Sequence, residues 1–134
     1  MGTIVLLSCV SKKLESPAAA RDLYRSPLFR KSFDYATRQD PDAIFILSAK
    51  HGLLHPDTII APYDKTLNRM PVAERKRWAR KVIHDLSKHC DLELDCFLIL
   101  AGRKYSEFLL PYLRNIENPM ATMGIGKRLK FLSD

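Results

Sequence analysis

The chain has 134 residues, of which 46% are hydrophobic, and its 22 Lys and Arg outnumber 15 Asp and Glu for a formal charge of +7. That length suits one domain with its own core, and no apolar run approaches the roughly 18 residues of a membrane span. The charge fits a polyanionic partner, nucleic acid first, and equally a merely basic soluble protein.

The first strand is predicted at Thr3–Ser8, "TIVLLS", an aliphatic run without alternation that fits a strand covered on both faces. No basic residues precede it and no clean cleavage site follows, so it reads as a strand and not as a signal peptide. Ser16-Pro17 and Ser26-Pro27 each pair an N-cap residue with proline at the first helical position. The second pair opens a helix with Leu28, Phe29, Phe33 and Ala36 on one side. A second strand is predicted at 43–48. The long connection "KHGLLHPDTIIAPYDKTLNRM" follows, too apolar to be an idle loop.

Pro71 opens a helix to about Lys88 with a core stripe of Val72, Ala79, Val82, Ile83 and Leu86. A third strand is predicted at 95–101, a helix at 105–114, a short fourth strand in "NPMATM", and a closing helix after "GIGKRL". This alternation predicts an α/β sandwich, a single domain over residues 1–134 with a mostly parallel sheet of about four strands. Right-handed crossovers then bring the strand C-termini to one edge, where ligands of such sheets bind.

Polar bursts follow these strands: Ser8–Lys13, Ser48–Gly52 and Gly102–Tyr105, with Gly124–Lys127 near the end. They are expected to converge on one crevice. Ser8, Ser11, Lys12 and Lys13 offer hydroxyls and ammonium groups to an anion. Cys9 is a nucleophile if a base activates it, and otherwise a small buried side chain. Ser48 and His51 can hydrogen-bond a base or phosphate, Lys50 adds charge, and Gly52 serves a positive φ or a close backbone approach. Asp64, in "APYDKTL", either stabilises a developing sugar cation or caps a loop. Asp57, after Pro56, looks like a turn residue. Gly102, Arg103, Lys104 and Tyr105 end the third strand. Arg103 suits phosphate or a base edge, and Tyr63 and Tyr105 either stack on a base or cap the core. Arg77, Arg80, Lys81, His84 and Lys88 share one helical face, either a backbone-binding ridge or a solvated surface, and Lys127 adds a further cation.

Three scattered cysteines without ligand spacing point to a reducing cytoplasm, with no disulfide framework, no metal site and no cofactor implied. No G-x-S-x-G elbow supports a Ser-His hydrolase, and "GIGKRL" lacks the full phosphate-loop pattern.

Together, "SCVSKK", "ARDLYRSPLFRKS", "ILSAKHGLLHPDTIIAPYDKTL", "ERKRWA", "LAGRKY" and "GIGKRL" resemble a bacterial and phage family of uncharacterised domains. That family is distantly similar to the YaaA-type peroxide-stress proteins and to a domain of archaeosine tRNA-modifying enzymes. The distant likeness rests mainly on the segment from Leu47 to Asp64. The resemblance implies a uracil-DNA-glycosylase-like fold and a nucleic-acid ligand, in stress or phage defence. It does not imply uracil specificity, since no "GQDPY"-type segment follows the first strand.

Three functions are therefore expected. The first is an N-glycosidase-like hydrolase acting on a base in DNA, with Asp64 at the sugar, and His51 and Lys50 at the departing base. Ser8, Ser11, Lys12 and Arg103 would hold phosphate in this reading. The second is a YaaA-like DNA-binding protein without turnover. The third is a small-nucleotide hydrolase or transferase. The small size leaves room for a homodimer or a partner protein.

Overall fold

The computed structural model describes residues 2–8 and 15–133. In chain order the elements are β1 (Thr3–Ser8), β2 (Ala18–Ala19), α1 (Ala20–Leu23), α2 (Pro27–Arg38), β3 (Ala43–Ser48), β4 (Gly52–Leu54), β5 (Ile59–Ile60), α3 (Val72–Leu86), β6 (Cys96–Leu100), α4 (Arg103–Ser106), β7 (Asn115–Glu117) and α5 (Ile125–Ser133). Single 3₁₀ turns cover Leu67–Arg69 and Leu110–Tyr112. The fold is mixed α/β. Its central sheet has five strands in the order β4-β3-β1-β6-β7, and β2 pairs with β5 in a separate two-stranded ribbon.

β1 is the middle strand. It runs parallel to β3 on one side and to β6 on the other, with Leu6 opposite both Phe45 and Ile99. Val5, Leu6 and Leu7 are fully buried, as a strand covered on both faces requires. The chain goes from β1 through α2 to β3, then through α3 back past β1 to β6. Right-handed crossovers in these opposite directions place α2 and α3 on opposite faces of the sheet. α5 packs beside α2, and α3 lies over β4.

Local chemistry accounts for most boundaries. Ser26 Oγ accepts the Phe29 N–H at 3.0 Å, and Pro27 occupies the first turn, so α2 begins where the sequence pattern places it. Ser16-Pro17 does not open a helix. Ala18 and Ala19 pair with Ile60 and Ile59 instead, and the Ala20 and Arg21 N–H groups donate to the carbonyls of Thr58 and Pro56. The start of α1 is thus capped by a distant loop and not by a local serine.

Three further expectations are corrected. The sheet has five strands, not about four, because the segment after β3 turns back as antiparallel β4. The helix expected at 105–114 stops after Ser106. Pro111 has no N–H to donate to the Glu107 carbonyl, so a continuous helix through 114 is barred, and a 3₁₀ turn at Leu110–Tyr112 holds that position. The last strand is Asn115–Glu117 and not "NPMATM", whose backbone makes turns from Asn118 to Ala121 and from Met120 to Met123.

The buried stripe of α3 is Arg75, Ala79, Val82, Ile83 and Leu86, while Val72 is 48% exposed. Arg75 takes the position expected of an apolar residue by pairing with Glu107 and lying over the Phe108 ring. Among the described residues no helix is long and apolar enough to cross a membrane.

The Ser26 cap gives a direct test. Ser26→Ala is expected to destabilise the fold by about 1 kcal/mol, read as a lowered midpoint in urea with an unchanged slope. An unchanged midpoint would show that the cap contributes nothing.

Candidate functional site

The strand order reverses about β1, since successive crossovers leave it on opposite sides, so the crevice beyond the C-terminal ends of β1 and β6 is the expected ligand position. Ser8 and Gly102 meet there. The Gly102 N–H donates to Ser8 Oγ at 2.9 Å and ties the end of β1 to the start of α4. A Cβ on Gly102 would lie 4.0 Å from that oxygen, so the strand end has room to spare.

The end of β3 is built around Ser48, which is fully buried. Its pairing with Gly52 closes a hairpin whose tip is Ala49, Lys50 and His51. Ser48 Oγ accepts the His51 N–H at 3.0 Å, holding the turn, and Gly52 adopts φ +70°. The expected positive φ is therefore present. A Cβ there would meet only Val82 Cγ2 at 3.7 Å, so conformation and not space demands the glycine.

The hydroxyls of Ser48, Tyr63 and Tyr24 form a chain. Ser48 Oγ and Tyr63 Oη are 2.8 Å apart, and Tyr63 Oη and Tyr24 Oη 2.6 Å. On the backbone side, Trp78 Nε1 donates to the Ser48 carbonyl at 2.9 Å and anchors α3 to the same strand end. The His51 ring stands edge-on to Tyr63, with centroids 5.5 Å apart. Its Nε2 is shielded from solvent and has no hydrogen-bond partner among the described residues. Burial, then the charges of Lys50 and Lys81, hold its pKa below the ordinary histidine value. His51 is therefore neutral at pH 7.

Lys81 lies on α3, so the basic face of that helix borders the hairpin tip. Arg77, Arg80, Lys81, His84 and Lys88 are all exposed. Lys88 approaches Asp85 at 3.9 Å, but Arg77, Arg80 and Lys81 have no ion-pair partner among the described residues. Lys127 is exposed on α5, which packs beside α2 on the other side of the sheet, so it stands apart from Arg77, Arg80 and Lys81, the other cations expected at a nucleic-acid backbone.

The other candidates fall in different settings. Asp64 is exposed, one residue from Tyr63. Tyr105 is 6% exposed, edge-on to Trp78, and its hydroxyl lies 3.4 Å from both Thr66 Oγ1 and the Leu67 nitrogen. Its ring is thus packed into the core in the manner of the core-cap alternative. Arg103 is exposed and approaches Glu107 at 3.5 Å, and Lys104 Nζ donates to the Asn68 carbonyl at 3.3 Å. Asp57 pairs with Arg21 at 2.6 Å. Cys9, Ser11, Lys12 and Lys13 lie outside the described residues.

Of the expected set, the structure brings together Ser8 with Gly102, and Ser48, Lys50, His51, Gly52 and Tyr63 with Lys81. No described hydrogen bond or ring contact joins Gly124–Lys127 to them. Sequence reasoning missed Tyr24, Trp78, Arg75 and Glu107. A tryptophan set among basic residues, in "ERKRWA", is the one signal that marks such an anchor. Cys90 and Cys96 are free thiols, and burial first, then Asp95 and Asp91, pushes Cys90 up to about 11. Among the described residues no three His, Cys, Asp or Glu side chains are grouped to hold a metal ion.

The neutral His51 links the site to stability. Between its lowered native pKa and the unfolded value of 6.5, the unfolded chain binds more protons, so stability rises with pH in that window. The contribution is complete above 6.5 and is lost on acidification. His51→Gln is expected to show a smaller drop in melting temperature between pH 7 and pH 5 than the wild type. Parallel pH curves would contradict the buried, neutral assignment.

Residues 4–134 match the model of a family of unknown function, DUF6884. An uncharacterized protein of Bacillus subtilis (strain 168), YfjM, is 29% identical over 150 aligned positions, covering 99% of this chain and 94% of that protein.

Proposed function

We propose that this chain, which belongs to the DUF6884 family of unknown function, binds nucleic acid along α3 and takes one base into the crevice at the strand ends. The observation that carries this reading is the position of Lys81 and Lys50 around His51. Trp78 bonds the Ser48 carbonyl and Val82 lies beside Gly52, so the basic face of α3 would adjoin the strand-end site. A polyanionic backbone on Arg77, Arg80 and Lys81 would reach the hairpin tip without crossing an acidic barrier.

The chemistry proposed is N-glycosidase-like. Water adds its oxygen to the sugar carbon as the bond to the base nitrogen breaks, and a proton goes to the departing base. Asp64, an exposed carboxylate next to Tyr63, would face the cationic sugar. His51 is neutral, so the positive charge that steadies the leaving base falls to Lys50. Ser8 and Gly102 would border the phosphate or base edge. The sequence resemblance to YaaA-type proteins and to the archaeosine-enzyme domain, with the uracil-DNA-glycosylase-like fold it implies, would suit this ligand class, with stress or phage defence as the setting.

One observation favours the second reading, DNA binding without turnover. Asp64 is exposed, whereas a carboxylate that stabilises a developing cation works best where water is excluded. The two readings separate on one panel of single-stranded, duplex, uracil-containing and phage-type modified DNA, with wild type beside Asp64→Asn. Base release that falls about 100-fold or more in D64N, with binding nearly unchanged, is the expected result. Full activity in D64N would remove Asp64 from the chemistry. Tight, salt-sensitive binding without release would establish the binding protein. If neither occurs, free nucleotides that raise the melting temperature would point to a small-nucleotide enzyme.

A further inference from the structure

A cleft away from the strand ends carries a concentration of basic side chains. It opens between α1, α2 and α5, has a volume of about 630 Å³, and its walls include Arg21, Arg30, Lys31 and Arg38. A second cleft of about 420 Å³ shares Arg30 with it, adds Arg25, and reaches Tyr24. The two form one groove, with five basic side chains against two acidic ones, Asp22 and Asp34. None of these residues was singled out by sequence reasoning.

The groove starts beside the strand-end site. Tyr24 borders it and is also hydrogen-bonded through its hydroxyl to Tyr63, at the edge of the His51 cluster. α2 runs back from that edge, so the groove descends along it from Arg25 and Arg30 to Arg38. Arg21 is committed to Asp57 and lies 5.2 Å over the Phe33 ring. Arg25, Arg30, Lys31 and Arg38 have no carboxylate partner among the described residues. Lys31 bonds Ser133 Oγ, and Arg38 and Arg30 bond backbone carbonyls, so these cations are held in place while their charge is uncompensated. Phe33 and Leu132 supply apolar wall between them. Fixed cations around an apolar surface suit a phosphodiester chain whose bases or sugars pack between its phosphates.

We propose that this groove is a second nucleic-acid track, and that the ligand of the site is single-stranded. The inference rests on the function proposed above. The α3 face and the α2 groove lie on opposite sides of the sheet, and each reaches the strand-end site, through Lys81 beside His51 and through Tyr24 bonded to Tyr63. A strand that contacts both must turn sharply at the crevice. A flexible single strand does this, whereas a duplex with a persistence length of about 150 base pairs does not fold around so small a domain.

The test measures binding of an 18-nucleotide single strand and the matching duplex across salt concentrations, for wild type, Arg25→Glu/Arg30→Glu and Arg77→Glu/Lys81→Glu. All four positions are exposed, and melting temperatures of both variants confirm folding. Each single-strand phosphate contact contributes about 0.7 to the slope of log K against log salt. The groove variant is expected to lose about 1.4 of that slope and at least about tenfold in single-strand affinity, with duplex binding unchanged. The α3 variant should weaken both ligands. Wild-type single-strand slopes retained by the groove variant would overturn the track while leaving the α3 interface standing. Equal losses on duplex and single strand would overturn the single-strand assignment. Binding of neither ligand by the wild type would remove the proposed function and this track together.

Discussion

β1 has no exposed edge and no exposed face, and the rest of the molecule follows from that confinement. Its carbonyl and amide groups are used by β3 and β6, and its side chains from Val5 to Leu7 are wholly buried. A strand in that position needs helices on both sides of the sheet and crossovers in both directions. Those crossovers align the C-terminal ends of three neighbouring strands. Ser8, Ser48 and Gly102 come to one edge for that reason, before any interaction among them is considered.

At that edge the polar groups are satisfied largely by each other. Ser8 takes the Gly102 N–H, while Ser48 takes the His51 N–H and joins the Tyr63 hydroxyl. A buried serine with a satisfied oxygen costs little and is short enough to leave space beyond the strand. The hairpin tip then projects Lys50 and His51 from a rigid base. Trp78 and Tyr105 brace the base from the α3 and α4 sides through an edge-on ring contact. The site is therefore positioned by strand ends and by aromatic side chains that need no ligand to hold their places.

The electrostatic layout follows from the same topology. Helices α2 and α3 both turn basic residues outward, but on opposite faces of the sheet. Arg75 is the exception that holds α3 to α4: it is buried, and Glu107 answers its charge while also meeting Arg103. The exposed cations of these two helices are thus carried on opposite sides of the sheet.

The sequence by itself determined the parallel core strands, because continuous aliphatic runs such as "TIVLLS" and "CFLIL" are stable only when covered on both faces. It also determined the start of α2 through Ser26-Pro27, the turn at Gly52 and the exposed basic face of α3, all of which depend on residues a few positions apart. Only the tertiary structure decided that the segment after β3 returns as a strand and that α1 is capped by Thr58 and Pro56. The same holds for Tyr105 as a core cap and for Tyr24 joining the hydroxyl chain. Those features pair groups distant in the sequence, and local periodicity carries no information about which distant carbonyl, hydroxyl or ring will stand opposite. The cleft beside α2 is invisible in the sequence for the same reason, since its walls come from three helices that meet only in the folded chain.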